Sequence, residues 1–169
     1  GEKLDTGPVC NSYKIEIMTD DNSETITEKL SALAAKKILD NIDKILEDKI
    51  EFKDQNHNEA SYAAKIKKTE GQIKWSETAE NIIGKINGFY PTPGAFFTYN
   101  GERYKILKAS LALGSGEIGE VLDNYLEVSC GNKKSIKVLE IQRQGKRPQN
   151  IGEFMLGSQI KKGSKLSNA

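Results

Sequence analysis

The sequence predicts an α+β chain: a strand and one long helix, then a polar connector, then a short helix leading into a compact β-rich domain. Three patterns carry this. Residues 9–17 alternate with a period of two, apolar residues recur at spacings of three and four from Leu30 to Leu46, and short β-like runs parted by Gly and Asn turns fill the chain after residue 95.

The chain opens with a turn, Asp5-Thr6-Gly7-Pro8. Val9, Asn11, Tyr13, Ile15 and Ile17 then alternate with Cys10, Ser12, Lys14 and Glu16, which predicts a strand with one buried face. Thr25-Ile26-Thr27-Glu28 fits a capping box, in which hydroxyl and carboxylate satisfy free amides at a helix start. Leu30, Leu33, Ala34, Ile38, Ile42, Ile45 and Leu46 share one helical face, so the helix is expected to run to about Leu46. A strand and one helix cannot enclose a core; they need partners. Residues 1–50 therefore form the first segment.

Residues 51–74 are polar and lack periodicity, and read as a connector. They hold the one histidine, His57, between Asn56 and Asn58. Such a residue is expected in a solvated loop, and no thiol or carboxylate spacing around it suggests a metal ligand.

Residues 75–169 form the third segment. Ser76 is placed to cap a short helix whose Ala79, Ile82, Ile83 and Ile86 share a face, with Gly88 and Pro91 ending it. Strands are expected at Ala95 to Tyr99, Tyr104 to Leu111, Glu117 to Leu122, Tyr125 to Cys130 and Ser135 to Gln142. Asn100-Gly101 is a hairpin signal, and Gly131-Asn132 marks another turn. So many short strands in so little chain suggest a small barrel or sandwich. Glu153 to Ile160 is expected as a closing helix.

Composition sets the class. The 169 residues are 37% hydrophobic and 29% charged, enough apolar content for a core. No apolar run approaches the roughly 20 residues of a membrane span, and no signal-peptide pattern opens the chain, so a soluble, cytoplasmic protein without a membrane partner is expected. Cys10 and Cys130 lie far apart and are expected as buried free thiols, with a single long-range disulfide as the minor reading. The net charge of +1 hides an asymmetry: residues 1–60 carry 8 lysines against 14 acids, and residues 61–169 carry 17 basic residues against 10 acids. A basic second half points to a polyanion partner or to a solvated lysine-rich surface.

Five strings then coincide. Tyr62 to Trp75, "YAAKIKKTEGQIKW", resembles the linker signature of methionyl-tRNA formyltransferases, Tyr-Ala-x-Lys-Ile followed by a Lys-Glu pair and Ile-Asp-Trp. "PTPGAFF", "GERYKILKAS" and "IQRQGKRPQNIGEFMLG" are similar to its later motifs, and "LDTGP" to the end of its catalytic domain. The likeness follows the order of that family along essentially the whole chain. Lys74, Asn87, Thr69 and Arg147 depart from the pattern.

The resemblance implies the following. Residues 1–50 would be the C-terminal remnant of a Rossmann-like formyltransferase domain, 51–74 a linker, and 75–169 an OB-like Greek-key barrel that helps hold tRNA. The family moves a formyl group from 10-formyltetrahydrofolate, its co-substrate, to the amine of methionyl-tRNA. Asp5 matches the catalytic aspartate that supports a histidine. No Asn-x-His-Pro-Ser-type string occurs in this sequence, so the fragment alone is expected to be inactive and to bind no cofactor. Lys65, Lys67, Lys68, Lys133, Lys134, Arg143, Lys146 and Arg147 are the expected tRNA-binding residues, forming one continuous cationic face. Tyr99, Tyr104 and Tyr125 would either stack on bases or pack the barrel, with packing preferred, and Trp75 is expected in the core. An open strand edge and apolar helix stripe within residues 1–50 imply a homo-oligomer. Two other readings stand beside this one: the C-terminal part of another formyltetrahydrofolate-dependent formyltransferase or hydrolase, and a non-enzymatic OB-type RNA-binding module.

Overall fold

A computed structural model describes residues 4–166. It divides into two units. The first takes the residues up to Thr19 together with Thr25–Lys65; the second takes Asp20–Glu24 and the chain from Ile66 on. Among the described residues no helix is long and apolar enough to cross a membrane.

In the first unit, the strand expected from Val9 to Ile17 does not form. Only Val9 pairs, exchanging backbone hydrogen bonds of 2.9 and 3.0 Å with Lys53. Tyr13 and Ile17 are exposed. Alternation alone makes no strand; its N–H and C=O groups need a neighbouring chain, and past Val9 none pairs with this segment. The helix is real. α1, Ser23–Leu46, starts two residues before the expected capping box, because Asn22 Oδ1 accepts from the Glu24 amide at 3.0 Å. None of its residues is buried: Leu30, Ile38, Leu39, Ile42 and Leu46 all meet solvent. His57 opens an exposed 3-10 turn, His57–Glu59.

The second unit holds the core. α2, Ala79–Gly88, is capped by Thr78, whose Oγ1 accepts from the Asn81 amide at 3.1 Å, rather than by Ser76. Its Ala79, Ile82 and Ile86 are buried, as their shared face requires. The sheet is antiparallel: β1 (Ala95–Tyr99), β2 (Glu102–Ala112), β3 (Glu127–Ser129), β4 (Ser135–Arg143) and β5 (Gln149–Asn150), ordered β1-β2-β4-β3 with β5 on β4. Asn100 and Gly101 both take positive φ, 50° and 78°, as a tight two-residue hairpin between β1 and β2 demands. The strand expected from Glu117 to Leu122 is reduced to two bridges, Glu120 with Lys165 and Val121 with Val128. The helix expected from Glu153 to Ile160 starts earlier, as α3 (Ile151–Gly157), because Asn150 Oδ1 caps it from the Glu153 amide at 2.9 Å.

Four aromatic rings form a chain through this core. Trp75 meets Phe97 edge-on at 5.8 Å, Phe97 stacks on Tyr104 at 5.4 Å, and Tyr104 meets Phe154 edge-on at 5.8 Å. Tyr104 is therefore a packing residue, while Tyr125 is exposed and Tyr99 is half-buried against Ser164. The polar connector ends inside the core. Ile73 is buried and its amide donates to the Phe96 carbonyl at 2.7 Å, while Gln72 forms a parallel bridge to Phe96. Gly71 permits that approach, since a Cβ there would lie 2.4 Å from the Gly94 oxygen. Cys130 is buried, and burial pushes its thiol up to about 11. Cys10, expected to be buried as well, is only partly covered.

Candidate functional site

The β4–β5 turn is built to present cations. Gly145 takes a positive φ of 72°, and the Lys146 amide donates to the Arg143 carbonyl at 2.9 Å. The Gln142 side-chain amide donates to the Lys146 carbonyl at 2.9 Å, tying the turn to its own strand. Arg143, Lys146 and Arg147 emerge exposed from this turn. They border a cleft of about 370 Å³ whose apolar wall is Tyr104 and Phe154 and whose acids are Glu102 and Glu153.

Two of these charges cancel locally. Antiparallel pairing sets Tyr104 opposite Arg143, and Glu102 stands two residues earlier on the same strand. Arg143 donates to Glu102, and the Tyr104 hydroxyl donates to the same carboxylate at 2.8 Å. Arg143 and Tyr104 hold the Glu102 carboxyl below its usual range, and Glu102 raises Arg143 further. Burial, helped by Glu102, pushes the Tyr104 phenol up to about 12. Lys146 and Arg147 form no ion pair among the described residues, so they are the free cations of the cleft.

The eight basic residues singled out in the sequence do not gather in one place. Lys133 and Lys134 lie in the β3–β4 turn, before the first residue of β4, while Arg143 ends that strand. At a rise of about 3.3 Å per residue the two groups sit roughly 26 Å apart. Lys134 is also partnered: it donates to Glu80, which accepts a second bond of 2.8 Å from Asn132, and Lys134 holds the Glu80 carboxyl below its usual range. Lys67 and Lys68 lie at the 3-10 turn Lys68–Gly71 of the second unit; Lys65 belongs to the first unit. All three are exposed.

Asp5 sits in an exposed turn with φ 58°, a left-handed conformation that Asp tolerates. Gln55 pins that turn, its Nε2 donating to the carbonyls of Asp5 at 3.0 Å and Gly7 at 2.7 Å. The Asp5 carboxylate itself makes no hydrogen bond or ion pair among the described residues. The geometry supplies cations and an aromatic wall. Among the described residues no three His, Cys, Asp or Glu side chains group as a metal site. Sequence reading missed Glu102 and Phe154 as parts of the cleft. The pairing of β2 with β4 is a long-range contact, and no local pattern signals it.

Residues 65–159 match the family "Formyl transferase, C-terminal domain". The chain belongs to this family. It is 65% identical over 168 residues to the methionyl-tRNA formyltransferase of Pelagibacter ubique, covering 99% of this chain and 54% of that relative. It is 36% identical to the methionyl-tRNA formyltransferase of Thermodesulfovibrio yellowstonii, covering 96% of this chain and 53% of that relative. The chain thus spans about half the length of the curated relatives it matches, in keeping with the sequence resemblance to the C-terminal part of such an enzyme. Among solved structures it is similar to HypX from Aquifex aeolicus in complex with tetrahydrofolic acid, with a TM-score of 0.70, 14% identity, and coverage of 96% of this chain and 30% of that one. It is also similar to an N-formyltransferase from Helicobacter canadensis, with a TM-score of 0.63, 21% identity, and coverage of 83% of this chain and 52% of that one. At these identities the likeness is one of fold. The formyl transferase C-terminal domain covers the sheet, α2 and α3, and so includes Arg143, Lys146 and Arg147.

Proposed function

We propose that this chain is the part of a methionyl-tRNA formyltransferase that holds tRNA, working in the cytoplasm beside a catalytic half. The observation that carries this is the 65% identity to such an enzyme over 99% of the chain. The whole enzyme would transfer a formyl group from 10-formyltetrahydrofolate to the amine of methionyl-tRNA. On this reading residues 1–50 complete the catalytic half, 51–74 link, and 75–169 bind tRNA as an OB-like barrel. Asp5 would orient a histidine of the catalytic half. The long β2, with bulges near Lys108, supports a sheet that curls as such barrels do.

The tRNA contacts assigned here are to phosphates. Lys146 and Arg147 lead because they are exposed and unpaired, with Arg143 joining once Glu102 releases it; Lys133, Lys134, Lys65, Lys67 and Lys68 are the further expected contacts. Phosphate contacts give affinity and register rather than base readout. Labelled tRNA titrated at two salt concentrations tests this. Affinity should fall steeply with salt, and the Lys146→Ala, Arg147→Ala double variant should flatten the log–log slope by about one to two units for all tRNAs alike. Salt-independent binding, or none at low salt, sinks the reading. The exposed Ile38, Leu39 and Leu46 of α1 support self-association through residues 1–50, which a strictly monomeric sedimentation profile at high concentration would exclude.

A further inference from the structure

The outer face of the sheet carries a second basic surface, outside the eight basic residues expected to bind tRNA. Register places Phe96 opposite Lys105, and Thr98 opposite Arg103, so all four side chains share the face turned away from Phe97, Tyr104 and the core. Arg103 crosses diagonally to Phe96, its Cζ 3.5 Å from the ring centroid. Its Nε is buried and has no hydrogen-bond partner, so the aromatic ring, and not a carboxylate, fixes the guanidinium plane. Phe96 is itself backed by the Gly71 turn, where a Cβ would lie 3.5 Å from its Cδ1. Lys105 lays its stem over Gly94 and brings Nζ to 3.4 Å from the Pro91 carbonyl.

Arg103, Lys105, Gln142 and Arg143 line a groove of about 300 Å³ on this face. No carboxylate lines it, whereas Glu102 and Glu153 line the cleft beside α3. Neither Arg103 nor Lys105 forms an ion pair among the described residues. Arg143 borders both depressions, so they meet at the β4–β5 turn.

We infer that this outer face is a second RNA-contact surface, in which the Arg103 guanidinium, held flat on Phe96, stacks an unpaired base and Lys105 takes the neighbouring phosphate. A guanidinium plane with one side on an aromatic ring offers its other side to a second flat π-system, and every base has one. Lys105 is a point charge on a flexible stem, suited to a phosphate and indifferent to sequence. Arg103 and Lys105, which no carboxylate answers among the described residues, favour a polyanion over a peptide of mixed charge.

The inference rests on the proposal that the chain meets tRNA, and the test separates the two. Labelled tRNA is titrated at two salt concentrations into the full chain, into Arg103→Ala, Arg103→Lys and Lys105→Gln, and into the Lys146→Ala, Arg147→Ala double variant. Arg103→Ala should weaken binding about tenfold or more, the scale of one lost base stack. Arg103→Lys keeps the charge and the fold but loses the plane; it should weaken binding nearly as much while leaving the salt slope unchanged. Lys105→Gln should flatten the slope by about one phosphate contact. Arg103→Lys binding like the unaltered chain overturns the stacking surface. Loss of binding in the double variant with Arg103→Ala unaffected overturns this site and leaves tRNA binding standing. An unaltered chain that binds no tRNA at low salt overturns both.

Discussion

The Tyr104 hydroxyl donates to Glu102 Oε2 at 2.8 Å while Arg143 donates to Oε1, so one carboxylate ties a core ring to a surface cation. These two donors keep the folded carboxyl below the range it has in an unfolded chain. The stability it contributes is therefore complete above the ordinary glutamate range and is lost as pH falls through the lower, folded value. A carboxyl-detected NMR titration should place the Glu102 midpoint below that of an ordinary glutamate, and Arg143→Gln should move it back up. Identical midpoints in the two proteins would remove the ion pair from the account.

On the proposed function, Glu102 would compete with tRNA for Arg143. Replacing it by Gln removes the counter-charge and keeps the shape. In fluorescence anisotropy at low salt, Glu102→Gln should bind tRNA severalfold more tightly, with a slope steeper by up to about one phosphate contact. Unchanged affinity would mean that Arg143 does not face the nucleic acid.

The aromatic chain sets the largest expected loss of stability. Phe97 is buried between Trp75 and Tyr104, and Phe97→Ala should cost about 3–5 kcal/mol in urea unfolding. Leu39→Ala, on the solvent side of α1, should stay within about 0.5 kcal/mol. Comparable losses in the two variants would contradict the burial described for them.

The two thiols should react at very different rates. Cys130 is buried with its thiol raised to about 11, so little thiolate exists at neutral pH. Cys10 is partly exposed. A chromogenic disulfide reagent should titrate one thiol promptly and the second only on unfolding, and Cys10→Ser should abolish the prompt phase. Two prompt thiols would mean the second unit opens around Cys130.

Much of the second unit was legible because its signals are local. Asn100-Gly101 dictates a hairpin, and the ends of β1 fall where the sequence places them. The apolar face of α2 is readable for the same reason, although Thr78 rather than Ser76 supplies the cap. The failures are non-local. Residues 9–17 have the alternation of a strand, but pairing is a property of two segments and only Lys53 answers, at Val9. Glu117 to Leu122 likewise has strand composition and forms only bridges. For the site, charge could be read but pairing could not. Glu80 takes Lys134 and Glu102 takes Arg143, across 54 and 41 positions respectively. The contact of Arg103 with Phe96 is a diagonal one across β1 and β2, which no single-strand pattern signals.

Trp75 is the one tryptophan of the sequence, fully buried and in edge contact with Phe97. Its emission should be blue-shifted and should report on the second unit alone. Far-ultraviolet dichroism weights the chain the other way, since α1 has 24 helical residues against 10 in α2 and 7 in α3, and most of α1 belongs to the first unit. The two optical signals of one unmodified sample therefore watch different halves of the molecule. Superimposable melting curves would make the chain a single cooperative system, and curves that separate would give each unit its own midpoint without a label or a truncation.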